Sequence, residues 1–223
     1  MVTTMRKGDS RRITVDGRAF NAAYLGKGFF CSGAFREFIG DELTPTGRVF
    51  LFIRDHDNSE LSDFSKEALS MWCNKLPHIP EVERHEPITT VGKEQCVYSM
   101  PYYRTLTATH ALAWRQYKTL RTIRDDVWIA WDKQSKPLSQ WGLYFAEHVI
   151  ELATGKVPES ITAALTEMLN AMSNYGSGYS LEFTLRNLGV DADGCLVFRD
   201  IWFNAGAIYR MMEAKRRRAG LNW

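Results

Sequence analysis

The stretch LRNLGVDADGCLVFRD, residues 185–200, contains two apolar segments joined by Asp-Ala-Asp-Gly. An Asp-Gly pair between two apolar runs is typical of a tight turn, so the stretch predicts a β-hairpin. Asn187 precedes the outgoing strand, and Asp200 ends the returning strand. The hairpin would therefore bring an amide oxygen and a carboxylate to the same end of one ribbon. Hard oxygens held close together are what Mg²⁺ requires, with phosphate oxygens and water filling its other positions.

Glu182 lies five residues before Asn187 and is placed to orient or deprotonate a nucleophile near such a site. The alternative interpretation is that Glu182, Asn187 and Asp200 are ordinary polar residues at the ends of a hairpin. Asn and Asp favour turns in any case. The residues alone do not decide between these interpretations.

The chain around this hairpin has predicted strands in its first half and predicted helices in its second half. The candidate strands of the first half are residues 18–24, 34–38, 48–54, 81–86 and 95–101. Ser62 caps a helix between the third and fourth of these strands. Further helices are predicted over residues 105–131, 138–155 and 158–176, and at the C-terminus. This order predicts an α+β fold with two lobes and a cleft, where ligands prefer to bind.

The composition is that of an ordinary globular protein of 223 residues, with 45% hydrophobic and 24% charged residues. The net charge of +2 gives no general electrostatic reason to bind nucleic acid or membranes. No apolar run approaches the roughly 18 residues of a membrane helix, and the first ten residues lack the apolar region of a secretory signal. The four cysteines and five histidines have no metal-ligand spacing. We therefore expect a cytoplasmic protein with reduced thiols, no zinc site and no membrane contact.

A glycine-rich segment, LGKGFFCSG, occupies residues 25–33 between the first two predicted strands. Backbone amides of such a loop can approach phosphates that side chains would block. The alternative is an ordinary hairpin turn, because a single G-x-G pattern is weakly specific.

Arg54 ends the predicted strand RVFLFIR, and Glu67 lies in the helix that follows it. The pair would form an ion pair near the glycine-rich segment. The alternative is a surface salt bridge, which contributes only about 0–1 kcal/mol.

The order of these motifs resembles that of the protein-kinase family. LGKGFFCSG is similar to the glycine-rich loop over ATP: Gly26 and Gly28 match its first two glycines, and Cys31 stands where the third is expected. Arg54 in LFIR stands at the position of the lysine in V-A-I-K, and Glu67 at that of its helix partner.

The later motifs extend this resemblance. YSMPYY, residues 98–103 with Met100 in it, is similar to the hinge whose backbone contacts adenine. LEFTLRN resembles the catalytic loop, which implies that Glu182 is the catalytic acid, Arg186 the loop arginine and Asn187 a metal ligand. FRDIWF resembles the D-F-G region, which implies that Asp200 is the second metal ligand.

The resemblance covers about residues 18–205 and is most similar to the small kinase-like proteins of T7-like bacteriophages. It implies a protein-kinase-like two-lobe fold, with an antiparallel-sheet N-lobe over residues 1–101 and a reduced helical C-lobe over residues 102–223. Its implied cofactors are ATP and Mg²⁺, and its implied compartment is the cytoplasm, that of the host if a phage encodes the chain. Only 23 residues follow Asp200, and the A-P-E segment is missing.

Four positions depart from the kinase pattern: Cys31, Arg54, Glu182 and Trp202. Arginine does not place a point charge as lysine does, and glutamate is one methylene longer than aspartate. Two functions therefore remain open. The first is an ATP–Mg²⁺ phosphotransferase acting on serine or threonine of a protein. The second is a pseudokinase that binds a host or partner protein, and a phosphotransferase for small molecules is a weaker third.

The basic run from Lys215 to Arg218 is the one segment with a local case for nucleic-acid binding. The alternative is a solvated terminal helix whose cations interact favourably with the helix dipole. The tryptophans are interpreted mainly as core residues, and Trp128, Trp131 and Trp141 as a second candidate partner surface.

Overall fold

The computed structural model describes residues 7–26, 33–37, 47–54, 76–90, 93–132, 141–173, 179–181, 183–199 and 202–204. The chain divides into two compact units. The first comprises Met1–Leu76 and Pro80–Tyr102, and the second comprises Pro77–Ile79 and Tyr103–Trp223. The boundary expected from the sequence follows residue 101. The division follows Tyr102 and also assigns residues 77–79 to the second unit.

The first unit contains an antiparallel sheet of six strands. These are β1 (Ser10–Val15), β2 (Arg18–Gly26), β3 (Gly33–Glu37), β4 (Arg48–Arg54), β5 (Glu83–Thr90) and β6 (Lys93–Pro101). Their order in the sheet is β1-β2-β3-β4-β6-β5. One face of the sheet buries a cluster of seven side chains: Ile13, Val15, Ala22, Phe35, Phe50, Phe52 and Val97. The opposite face also buries side chains, among them Ile53 and Tyr98. Successive residues of a strand point to opposite faces, so β4 and β6 contribute to both.

β1 is a strand that the sequence analysis did not predict. It pairs with β2 through a two-residue turn at Asp16 and Gly17, whose φ angles are 49° and 72°. Positive φ at both central residues defines the hairpin turn that Asp-Gly favours. The signal was therefore present in ITVDGRAF, which alternates apolar and polar residues around an Asp-Gly pair.

Three helices are described in the second unit: α1 (Ala111–Asp132), α2 (Trp141–Ala153) and α3 (Glu159–Ser173). Gly155 follows α2 with φ of 77°, as expected for a glycine that terminates a helix. Five short strands accompany the helices. They are β7 (Arg104–Thr105), β8 (Tyr179–Leu181), β9 (Leu188–Val190), β10 (Leu196–Phe198) and β11 (Trp202–Asn204). They form one sheet in the order β10-β9-β7 and a separate pair, β11-β8.

The α+β class and the antiparallel sheet of the first unit are confirmed. The first helix of the second unit, however, begins at Ala111 and not at residue 105. Thr105 pairs with Gly189 in β7, and the turn that follows is closed by the His110 N–H, which donates to the Thr107 carbonyl at 3.1 Å. Threonine has a low helix propensity, and these local bonds replace the helical ones.

The helix expected from Ser62 and the C-terminal helix lie outside the described residues. In the part of the chain that the structure describes, no helix has both the length and the apolar character needed to cross a membrane.

Candidate functional site

The predicted hairpin is present as β9 and β10. Leu188 pairs with Phe198, Gly189 with Val197 and Val190 with Leu196. Asp191 closes the turn, because its Oδ1 accepts a hydrogen bond from the Cys195 N–H at 2.8 Å. Gly194 adopts φ of 82° within the turn, which glycine does without steric cost.

Asn187 lies at the open end of this hairpin. It is the last residue of a 3₁₀ turn, Leu185–Asn187, that leads directly into β9. The residue is 8% exposed, and its backbone N–H donates to the Thr184 carbonyl at 2.9 Å. The Asn187 carbonyl accepts the N–H of Arg199 at 2.9 Å, so the two strands stay paired one step beyond β9 and β10. A buried amide side chain is thus held at the level of the residue that precedes Asp200.

Arg199 supports the loop that carries Asn187, a role that the sequence analysis missed. Its Nη2 donates to the Arg186 carbonyl at 3.0 Å, and its Nη1 donates to the Tyr103 carbonyl at 3.5 Å. One half-buried guanidinium therefore links the end of β10 to the turn before β9 and to the start of the second unit. An arginine directly before the predicted metal ligand was the only signal of this role in the sequence.

Gly189 allows β7 to approach the hairpin closely. A Cβ at this position would lie 2.8 Å from the Cβ of Tyr103 and 3.0 Å from the Cδ of Arg199. No side chain fits into this space without displacing its neighbours. The glycine thus permits the three-stranded sheet that holds the hairpin in place.

A second ladder lies next in sequence to the predicted catalytic residues. Leu181 pairs with Trp202, and the pairing continues to Tyr179 and Asn204. Glu182 and Asp200 themselves lie outside the described residues. Their described neighbours, Leu181 and Trp202 on one side and Asn187 and Arg199 on the other, are paired across the backbone.

The predicted nucleotide-binding residues of the first unit fall partly in the described region. Gly26 ends β2, pairs with Ala34 after a register shift, and thus marks the start of the connection from β2 to β3. Arg54 ends β4 opposite Gln95, a buried polar residue that is 7% exposed. Gly28, Cys31 and Glu67 lie outside the described residues.

Met100 lies near the end of β6, and its side chain is 7% exposed. The pairing of β6 with β5 begins at Ser99 opposite Glu83, so within the described part of the sheet Met100 and Pro101 pair with β4 alone. The ring of Tyr102, the next residue, lies under the guanidinium of Arg36, 3.8 Å from its central carbon. The segment predicted as a hinge therefore ends the first unit, since the division of the chain follows Tyr102.

The thiol of Cys195 is protonated at neutral pH. Partial desolvation raises the pKa of this exposed thiol above the ordinary value of 9.0, and the carboxylates of Asp191 and Asp193 add to this shift. A raised pKa disfavours the nucleophilic thiolate. Within the described ranges, no group of three or more His, Cys, Asp or Glu side chains is arranged to hold a metal ion.

The site is thus defined by its geometry and not by relatives. In comparisons with known proteins, no family model matches this sequence and no curated protein matches it.

Proposed function

We propose that this chain is a divergent protein-kinase-like protein that binds ATP–Mg²⁺ and transfers phosphate to serine or threonine of a protein. The observation that supports it most strongly is the hydrogen bond from the Arg199 N–H to the Asn187 carbonyl. It aligns the buried amide of Asn187 with the residue directly before Asp200. Consecutive Cα atoms are only about 3.8 Å apart, so the covalent chain favours an approach of the two predicted ligands.

The oxygen atoms of Asn187 and Asp200 are of the type that binds Mg²⁺. Mg²⁺ prefers oxygen ligands and usually binds one or two protein groups together with phosphates and water. Asn187 contributes an amide oxygen and Asp200 a carboxylate in this proposal. When ATP–Mg²⁺ binds, it supplies the phosphoryl group for transfer.

The first unit supplies the nucleotide contacts in this proposal. The connection after Gly26 joins two antiparallel neighbours, as a flap over phosphates requires. Arg54 contacts the α- and β-phosphates and pairs with Glu67, and the backbone near Met100 contacts the adenine. The absence of a β5 partner beyond Ser99 in the described sheet supports the role of this backbone.

The transfer step assigns one role to each remaining residue. The substrate hydroxyl oxygen forms a bond to the γ-phosphorus, and the bond from that phosphorus to the ADP oxygen breaks. Glu182 accepts the hydroxyl proton, and Arg186 lies in the same loop as a positive charge. Arg199 is a positioning residue, because it contacts the carbonyl of Arg186 and not the reactants.

The first test is thermal unfolding with and without ATP and Mg²⁺. A ligand at 100 times its Kd adds about 2.7 kcal/mol to the free energy of unfolding. We expect this shift in the wild type and in Asp193→Ala, which removes an exposed carboxylate from the turn of the same hairpin. We expect no shift in Asp200→Ala. The absence of a shift in the wild type would refute ATP binding.

The second test separates an enzyme from a binding protein. Transfer of label from γ-labelled ATP to protein, lost in Asp200→Ala, is expected of the phosphotransferase. A thermal shift without any label transfer would instead identify a pseudokinase that retains the nucleotide.

The pseudokinase is the second candidate, and one contact favours it. Arg36 lies over one face of the Tyr102 ring, at the end of the segment that would bind adenine. Together with Cys31, Arg54, Glu182 and Trp202, which depart from the kinase pattern, this contact favours a fold retained to bind a host or partner protein. Label transfer is not expected of a chain with that function, whether or not it retains the nucleotide.

A further inference from the structure

The two edge strands of the six-stranded sheet, β1 and β5, are linked through a single carboxylate. Asp16, in the turn between β1 and β2, is hydrogen-bonded through Oδ2 to His85 Nδ1 of β5 at 2.7 Å. Its Oδ1 accepts the backbone N–H of Glu86 at 3.0 Å. These are the first and the last strands of the sheet order, so the sheet curls until its edges meet.

The chain of contacts continues from His85 into the sheet. His85 Nε2 lies 2.7 Å from the Ser99 hydroxyl oxygen on β6. That hydroxyl accepts a hydrogen bond from Arg48 Nε of β4 at 2.9 Å. Ser99 is 0% exposed and the His85 side chain is 9% exposed, so water does not compete for these inner bonds.

For a neutral His85 ring, the donors and acceptors allow only one direction for the hydrogen bonds. Arg48 can only donate, and an ionised Asp16 can only accept. The Ser99 oxygen therefore accepts a hydrogen bond from Arg48, and the Ser99 hydroxyl donates its own hydrogen to His85 Nε2. Neutral His85 must then carry its hydrogen on Nδ1 and donate it to Asp16.

We propose that Arg48, Ser99, His85 and Asp16 form a hydrogen-bond relay that places the hydrogen of the neutral His85 ring on Nδ1 and fastens the two edges of the sheet together. The relay joins β4, β6 and β5 to the turn between β1 and β2, and it ends on the side chain of Asp16, which is 44% exposed. The exposed carboxylate of Asp16 can therefore be protonated from solvent, whereas His85 and Ser99 are shielded from water. This arrangement makes the closure of the sheet sensitive to acid.

The order Asp-His-Ser is that of a hydrolase triad, but the burial of Ser99 assigns it a structural role. A nucleophilic serine must reach a substrate, and Ser99 has no exposed surface. Its hydroxyl is also occupied by Arg48, whose positive charge is paired with Glu83 at 3.0 Å.

The charged groups around the relay favour an ionised Asp16. The hydrogen bond from His85 lowers the pKa of Asp16 most, followed by the N–H of Glu86. Desolvation opposes this shift, whereas Arg18 and, when its ring is protonated, the charge of His85 add to it. At the inner end, Glu83 pairs with the Arg48 guanidinium, and the Glu37 carboxylate accepts the Arg48 N–H at 3.2 Å.

The test is long-range ¹H–¹⁵N NMR of the His85 ring near neutral pH, combined with hydrogen exchange of the Glu86 amide. We expect the wild type to have a protonated Nδ1, an unprotonated Nε2 and a protected Glu86 amide. Asp16→Asn can retain the turn, because asparagine tolerates positive φ. Because asparagine keeps only one acceptor oxygen, it should lose either the Nδ1–H tautomer or the protection of the Glu86 amide, the latter by about tenfold or more.

A matched control and three results that would contradict the proposal complete the test. Glu94→Gln neutralises an exposed carboxylate of β6 and should change neither the tautomer nor the exchange rate. An Nε2–H tautomer in the wild type, or an Asp16→Asn variant indistinguishable from it, would overturn the relay. Labelling of Ser99 by a fluorophosphonate would overturn the structural role in favour of a hydrolase.

Discussion

Gly189 is a single residue on which the geometry of the hairpin depends. A methyl group there would lie 2.8 Å from the Cβ of Tyr103 and 3.1 Å from the carbonyl of Arg104. Since Arg104 belongs to the paired strand β7 and Tyr103 directly precedes it, neither can move aside without disturbing the sheet. We expect Gly189→Ala to lower the free energy of unfolding by about 1–3 kcal/mol, measured in urea.

The control for this substitution lies on the same hairpin. The side chain of Cys195 is exposed, so Cys195→Ala should change the free energy of unfolding by no more than about 0.5 kcal/mol. A Gly189→Ala variant as stable as Cys195→Ala would show that β7 does not pack closely against the hairpin.

A second prediction at the residue scale concerns Asp16 and the pH dependence of stability. Its pKa in the folded protein is below the ordinary value of 3.8, mainly because of the hydrogen bond with His85. A lowered pKa stabilises the folded state above the unfolded-state value, and this contribution is lost as the pH falls through the folded-state value. The difference in stability between the wild type and Asp16→Asn should therefore be full near pH 6 and should vanish in strong acid. A difference that is independent of pH would contradict this linkage.

Helix α1 is amphipathic, and it offers two leucines with opposite environments. Leu120 is 0% exposed, whereas Leu112 is 54% exposed. Truncation of a buried leucine loses the hydrophobic stabilisation of the removed atoms and leaves a cavity. Leu120→Ala should therefore lower the free energy of unfolding by about 2–5 kcal/mol. Leu112→Ala should change the free energy of unfolding by at most about 0.5 kcal/mol in the same denaturation experiment. Equal effects would mean that the buried face of α1 is assigned wrongly.

The elements that the sequence predicted well are those with local signals. The strand 48–54 and the hairpin after Asn187 were predicted because apolar runs and turn residues are read from neighbouring positions. The strands β7, β8 and β11 have only two or three residues, and each exists through a partner distant in sequence. No local pattern predicts such strands, because their hydrogen bonds are set by tertiary packing.

In the candidate site, too, features with a local sequence signal were predicted and those set by distant contacts were not. Asn187 was predicted to lie just before the outgoing strand, and it does. The contribution of Arg199 was not predicted, since its bonds reach the carbonyls of Arg186 and Tyr103, and carbonyls carry no sequence signature. The roles of Glu182 and Asp200 stay predictions.

At the scale of the whole molecule, each of the two units has its own core. The first buries the face of its sheet around Phe50, which is 1% exposed. In the second, Phe145 of α2 is likewise 1% exposed. The chain passes between the units after residues 76, 79 and 102, so the short segment 77–79 belongs to the second unit although both of its neighbours belong to the first. His78 fastens this segment, because its Nδ1 bonds the Leu196 carbonyl at 2.6 Å and its own carbonyl accepts the Phe198 N–H.

Separate cores imply that a core defect is felt first in its own unit. We expect Phe50→Ala to lower hydrogen-exchange protection in β2, β4 and β6 more than in α2 and α3, and Phe145→Ala to do the reverse. Each substitution should lower the free energy of opening of its own unit by about 3–5 kcal/mol. It removes the hydrophobic stabilisation of a buried phenylalanine and leaves a cavity. Native-state exchange followed by mass spectrometry measures both units in one experiment. If either substitution lowered protection equally in both units, the units would open as one, and the division of the chain after Tyr102 would have no energetic meaning.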